Sequence, residues 1–362
     1  MFARRPAPRG LWLCVAFGVC VPALTPAVAL ADQNTIDVGA SPIVRITLGS
    51  GTVNVRTWDR QAVRIDDTTD LDVKKSEVES SEAQSAIPVF AGRLPGASGV
   101  LELPPESFVV STIPPGPRPL VSIRGHDTDV TVTVPRTAAL VTVQLNKGNV
   151  SIQDYRSGTF VARVRFGNVR LDDVGGDGFV QVMRGPVIAH ASSFDRLRVR
   201  TGSGNAVFDA CHAKQIEVSS INGTIVYDDG TFEPGLARFE TQHGSIGIGV
   251  SGPADLGGHT TSGRLYNSFD RQAQVTDGGQ HVVVGSGGPI VSAATTTGNV
   301  YFYDGALTAR RVPEEWNPLK QVFHRGMTPH LLPDEPREPL SASQQPPHPN
   351  HRPAAAPATP AP

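Results

Sequence analysis

Cysteine is scarce, with three in 362 residues, and two of these, Cys14 and Cys20, fall within the first 20 positions. If that segment is removed on export, Cys211 stands alone and no intramolecular disulfide framework can form. Its thiol is then either a buried, inert group or an isolated nucleophile. Charge of one sign is also lacking: 32 basic and 34 acidic side chains leave a formal net charge of -2. A nucleic-acid binder would carry a basic footprint, so this balance argues against that class. Aromatic residues are only 6% of the chain, whereas glycine (37) and proline (31) are abundant. Such a composition is rich in turns and poor in helix formers. No HExxH, Gly-x-Ser-x-Gly or Walker pattern occurs. The GSGNA run at 202–206 opens a strand pattern rather than a helix, so it does not read as a phosphate loop.

The two ends differ from the middle. Arg4, Arg5 and Arg9 precede the apolar LWLCVAFGVCVPAL, and Ala29 and Ala31 form an A-x-A site. This arrangement reads as a secretory signal over 1–31. The apolar run falls short of the ~20 residues a span needs, and no later stretch is apolar enough, so no transmembrane span is expected after cleavage. Residues 311–362 are proline-rich and end in QQPPHPNHRPAAAPATPAP, which is expected to be a disordered tail. A second irregular stretch is expected at 66–120, where the charged DLDVKKSEVESSE is followed by a proline-rich segment.

Between these lies a repeat. The anchoring residues Gly148, Gly167, Gly185, Gly204, Gly223, Gly244 and Gly263 recur every 18 to 21 residues, Gly298 follows after a longer interval, and a degenerate copy surrounds Gly51. Before each glycine the apolar residues alternate, as in Val141, Val143, Leu145 and in Phe160, Ala162, Val164. After it they alternate again, as in Val150, Ile152 and in Val169, Leu171. Period-two alternation on both sides of a glycine predicts two short strands joined by a tight corner. One such unit cannot bury its apolar side chains, but units stacked ~4.8 Å apart can. The expected fold is all-β: a parallel β-solenoid over 32–310, of about nine short coils, each stacked on the next.

The tandem V-x-V…G-x-[VI]-x-[IFLY] pattern, with VTVTVP at 130–135 leading into it, resembles the bacterial "putative adhesin" domain family of exported β-strand-repeat proteins. The resemblance spans roughly residues 36–305. It implies a β-helix-like exported domain with an adhesive role and no defined catalytic residues.

Two columns of polar residues accompany the glycines. Five positions after the glycine stand Asp172, His190, Asp209 and Asp228. Stacked carboxylates repel, so a column needs water, turn hydrogen bonds, a histidine or a cation. It reads either as a metal or glycoside acid/base site, or as turn caps. Asp154, Asp173, Asp229 and Asp304 at the next position favour caps, as does the absence of a GGxGxDxUx calcium repeat. One position after the glycine stand Asn149, Asn168, Asn205 and Asn299, with Thr224 and Ser245, suited to bonding between stacked corners.

The functional expectation is therefore an exported, non-enzymatic, adhesin-like or structural solenoid. It would need no cofactor and no metal, and would bind a cell-envelope protein or a polysaccharide surface, in the periplasm or at the cell surface. The alternatives are a carbohydrate-active β-helix enzyme using Asp172, His190, Asp209 and Asp228, and an envelope-stress sensor module.

Overall fold

The structure, a computed structural model, describes residues 35–66, 71–79, 116–269, 273–276 and 281–305. The segments 1–31 and 311–362, and most of 66–120, lie outside the described residues. The described strands belong to the unit Asn34–Pro362. They are β1 (Thr35–Asp37), β2 (Ile43–Trp58), β3 (Ala62–Asp66), β4 (Asp72–Glu79), β5 (Pro117–Asp127), β6 (Val130–Pro135), β7 (Leu140–Gln153) and β8 (Thr159–Phe166). Next come β9 (Val169–Asp172), β10 (Gly175–Arg184), β11 (Val187–His190), β12 (Ser193–Ser203), β13 (Ala206–Asp209), β14 (His212–Asn222), β15 (Ile225–Phe232) and β16 (Ala237–His243). The last are β17 (Ile246–Val250), β18 (Ala254–Ser262), β19 (Leu265–Asn267), β20 (Ala273–Thr276), β21 (His281–Val284), β22 (Ile290–Thr297) and β23 (Val300–Asp304). No helix occurs among the described residues, and the sheet is mostly parallel, which makes the fold all-β and β-solenoid-like.

The rung built from β8 and β9 shows why this sequence coils. Phe160, Ala162 and Val164 point inward, Gly167 turns the chain, and Val169 and Leu171 point inward from the second side. A second corner follows at Asp173, whose φ of 55° lies in the left-handed region. Asp154, Ala191, Ala210 and Asp229 hold the same conformation at the same offset, with φ between 47° and 57°. A short third side closes the coil, where Ser193 and Phe194 pair with His212 and Ala213, and those pair in turn with Thr231 and Phe232. The interior is filled by Val, Ile, Leu and Phe side chains. Large residues sit against glycines: a methyl group on Gly178 would lie 2.1 Å from the Phe160 ring, so the glycine makes room for the phenyl group. Buried Tyr227 donates its hydroxyl hydrogen to the carbonyls of Cys211 (2.9 Å) and Thr231 (3.0 Å), satisfying a polar group the thin coil could not otherwise bury.

The rungs do not stack in chain order throughout. From 140 to 250 each coil lies on the next. At the first end, however, β2 pairs with β7 on one side and with β5 and β6 on the other, so the rung 117–135 is outermost. At the other end β22 and β23 lie between β16–β17 and β18–β19, so 254–267 is outermost. The expectation that each coil rests on its successor is thus corrected at both ends, and the reason is local. Antiparallel strands β20 and β21 occupy the outer edge next to β18, so the following rung has only the inner edge left to join. Strands β3 and β4 cover β6 and β5 in the same way.

The stretch 66–120, expected to be irregular, carries β4 and the start of β5. Strand β4 reads DVKKSEVE, and Asp72, Lys74, Lys75 and Glu77 are the charged residues that keep an exposed sheet edge from pairing with other chains. Charge that looked like an irregular segment is the mark of an edge strand.

Candidate functional site

The glycine corners set the geometry of everything outside them. Gly148, Gly167, Gly185, Gly204, Gly244 and Gly298 have φ between 134° and 151°. A methyl group on any of Gly148, Gly167, Gly185, Gly204, Gly223, Gly244, Gly298 or Gly263 would come within 1.6 to 2.1 Å of the carbonyl oxygen of the glycine on the adjoining rung. The column is therefore a line of direct backbone contact that no side chain can enter.

The residue after the glycine ties the rungs together. Asn168 N donates to Asn149 Oδ1 (3.4 Å), Thr224 N to Asn205 Oδ1 (3.0 Å), and Asn299 N to Ser245 Oγ (3.1 Å). At the ends, Thr52 N donates to Asp129 Oδ1 (2.6 Å) and Arg264 N to Asn299 Oδ1 (2.9 Å), following the rearranged stacking order. These side chains supply acceptors to corner amides that would otherwise go unpaired.

Five residues after the glycine, Asp172, His190, Asp209 and Asp228 are consecutive register partners. The structure brings all four together, and their side chains alternate with the inward Leu171, Ala189, Phe208 and Tyr227. Each meets a different neighbour. Asp172 accepts from Arg170 Nε (2.6 Å). His190 Nδ1 lies 2.9 Å from Asp209 Oδ2, with the imidazole half-buried and the carboxylate wholly buried. Asp228, also buried, lies beside Tyr303, which occupies the same offset after Gly298. The intervening rung has Gly249 at that place, and a methyl group there would lie 2.1 Å from the Tyr303 ring. Burial raises the Tyr303 phenol well above its ordinary pKa, and the charges of Asp228 and Asp209 raise it further. Sequence reasoning missed Tyr303, although its offset from Gly298 was the signal that would have found it.

Chemically, the column contains one histidine oriented by a buried carboxylate. With Nδ1–H donated to Asp209, Nε2 is left as an acceptor, an arrangement that can move a proton. Among the described residues no three His, Cys, Asp or Glu side chains converge as metal ligands. Cys211 is buried, and burial pushes its thiol up to about 12, so it is protonated at neutral pH and is a poor nucleophile.

The residue immediately before the glycine forms a further row, at the end of the longer strand of each coil, which sequence reasoning also missed. It runs Lys147, Phe166, Arg184, Ser203 and Asn222 across successive register partners.

With this geometry established, comparison with known proteins places the chain. The profile of the Toastrack DUF4097 family matches residues 43–301, well over half of the sequence. The chain belongs to the Toastrack DUF4097 family. That bears out the resemblance to the "putative adhesin" domain family of β-strand-repeat proteins. No curated protein matches the sequence. Among solved structures, a "putative cell adhesion protein" from Clostridium sporogenes aligns at 5% identity over 74% of this chain and 96% of that chain. Its TM-score is 0.19, too low for the alignment to transfer fold or function. No helix among the described residues is long and apolar enough to cross a membrane.

Proposed function

We propose that this Toastrack protein is an exported, non-enzymatic, adhesin-like module whose outward sheet faces bind an envelope protein or a surface polymer. The observation that carries the reading is how the column's side chains are engaged. The residues best suited to acid–base chemistry are committed to partners within the coil, Asp172 to Arg170 and His190 to Asp209, while Asp209 and Asp228 are buried. Exposed side chains such as Lys147, Phe166 and Arg184 stand at fixed inter-strand spacing, a regular template for recognition rather than a reaction centre. Export to the periplasm or cell surface is part of the same reading and rests on the sequence pattern at 1–31.

A carbohydrate-active enzyme is the second reading, favoured by the His190–Asp209 contact with its half-buried imidazole. Both readings are tested by presenting the purified chain to polysaccharide arrays while measuring retention and reducing-end release. Retention without release supports the adhesin-like reading. Release that is lost in Asp209→Asn and His190→Gln variants supports the enzyme. Cell fractionation tests export, with recovery in the cytosol as the refuting result.

A further inference from the structure

The row preceding the glycines has a distinct composition on three neighbouring rungs. Lys147, Phe166 and Arg184 are register partners, so Lys147 and Arg184 flank the phenyl ring from either side. The guanidinium carbons of Arg165 and Arg184 lie 5.2 and 5.8 Å from the ring centroid. All three cations are exposed, and among the described residues no carboxylate forms an ion pair with any of them. The carboxylate in this row, Asp127, lies two rungs from Lys147 and is engaged by the Ser50 hydroxyl. On the rung of Arg184, Met183 is 54% exposed, and Phe166 is 36% exposed. A chain with a net charge of -2 thus presents three exposed cations and exposed apolar surface within three rungs.

The geometry points to this corner as a binding site for an acidic polysaccharide, a uronate-bearing glycan lying along the stacking direction. The inference rests on the adhesin-like reading and gives it a place and a ligand class. Guanidinium groups pair with carboxylates through two parallel N–H···O bonds, and their positions over Phe166 hold the forks in place. Lys147 and Arg184 are two rungs apart, roughly 9.6 Å, about the length of a disaccharide unit in an extended glycan. Apolar surface at Phe166 and Met183 suits the C–H faces of sugar rings. Beyond Arg184 the row continues with Ser203 and Asn222, hydroxyl and amide groups that match sugar hydroxyls and offer nothing to a run of negative charge. That continuation favours a glycan with spaced carboxylates over an acidic peptide or an anionic lipid surface.

Oligomers of alginate and polygalacturonate, with neutral dextran of equal length as reference, would be titrated against the full chain by fluorescence polarisation. Binding of the uronate oligomers but not of dextran is expected. The R165Q/R184Q variant should weaken it by roughly tenfold per guanidinium removed and flatten its dependence on salt. Arg136→Gln, at an exposed residue paired with Asp59 away from this row, should leave the affinity unchanged. A melting temperature equal to that of the parent shows that R165Q/R184Q is folded. Uronate binding that survives R165Q/R184Q overturns the assigned site while leaving the adhesin-like reading standing. Binding confined to poly-glutamate or to phosphatidylglycerol vesicles overturns the ligand class. Retention of no polymer or envelope protein at all overturns the adhesin-like reading itself.

Discussion

Replacing Gly167 by alanine would place a methyl group 1.6 Å from the Gly148 carbonyl oxygen, on a backbone with φ of 144°. These two penalties can be separated within this one chain. The left-handed φ costs about 1–2 kcal/mol for a residue with a β-carbon. Relieving the contact means forcing the rungs apart by more than 1 Å against a spacing of ~4.8 Å. That movement strains the corner bonds Val150 N to Asn168 O (2.9 Å) and Asn168 N to Asn149 Oδ1 (3.4 Å), which cross the same interface. Losing both would cost about 2 kcal/mol at roughly 1 kcal/mol each, for a total of about 3–4 kcal/mol. Gly223 isolates the contact, because its methyl group would meet the Gly204 oxygen at 2.0 Å with φ outside the left-handed region, so Gly223→Ala should cost about 2 kcal/mol. Gly116 isolates the conformation, with φ of 124° and nothing within 4 Å of the added methyl group, and Gly116→Ala should cost the conformational share alone, about 1–2 kcal/mol. Gly252, with an open environment and no left-handed φ, is the control and should be near neutral. Urea unfolding followed by far-ultraviolet circular dichroism would give the four midpoints. If Gly167→Ala and Gly223→Ala cost no more than Gly116→Ala, backbone contact is not what the column requires, and the reasoning fails.

Three further outcomes concern the second corner and the core. Ala191 and Ala210 adopt φ of 47° and 50° where other rungs use aspartate, and both are exposed. Asparagine tolerates that conformation better, so Ala191→Asn and Ala210→Asn should each raise stability by about 0.5–1 kcal/mol, seen as a higher melting temperature; an unchanged or lower value refutes it. Cys211 has its pKa raised by burial from 9.0 to about 12, so the fold is favoured while the thiol is neutral. Stability should be fully present below pH 9 and fall as pH rises toward 12, with buried Tyr155 and Tyr227 adding to the loss at the upper end. Iodoacetamide at pH 8 should leave Cys211 unmodified in the folded chain and alkylate it in urea, as peptide mapping would show; rapid labelling of the folded chain refutes its burial.

The periodic part of the fold was legible because the corner glycines and alternating apolar residues answer to local requirements. A column five residues after a glycine must line up if the glycines do, and Asp172, His190, Asp209 and Asp228 follow from that rule. The order of the end rungs was not legible. Strands β16, β18 and β22 all present the same inward pattern, so nothing in the sequence of β22 says which of its neighbours it joins. Stacking order was decided instead by β20 and β21 occupying the outer edge. The strand β4 was hidden for the opposite reason, since the charges that protect an edge erase the apolar alternation by which strands are found. The Lys147, Phe166 and Arg184 row escaped notice because its members share an offset but no residue type.

The rearranged ends also determine how this protein would bear a mechanical load. Strand β23, the last described element, is not at the tip of the stack but is held between β17 and β19. Strand β2, near the other terminus, is likewise held between β7 and the pair β5 and β6. Tension applied through residues 43 and 304 therefore does not peel a terminal strand from one neighbour. It must shear strands out of two ladders at once, so a tether pulled from either end grips the stack from within.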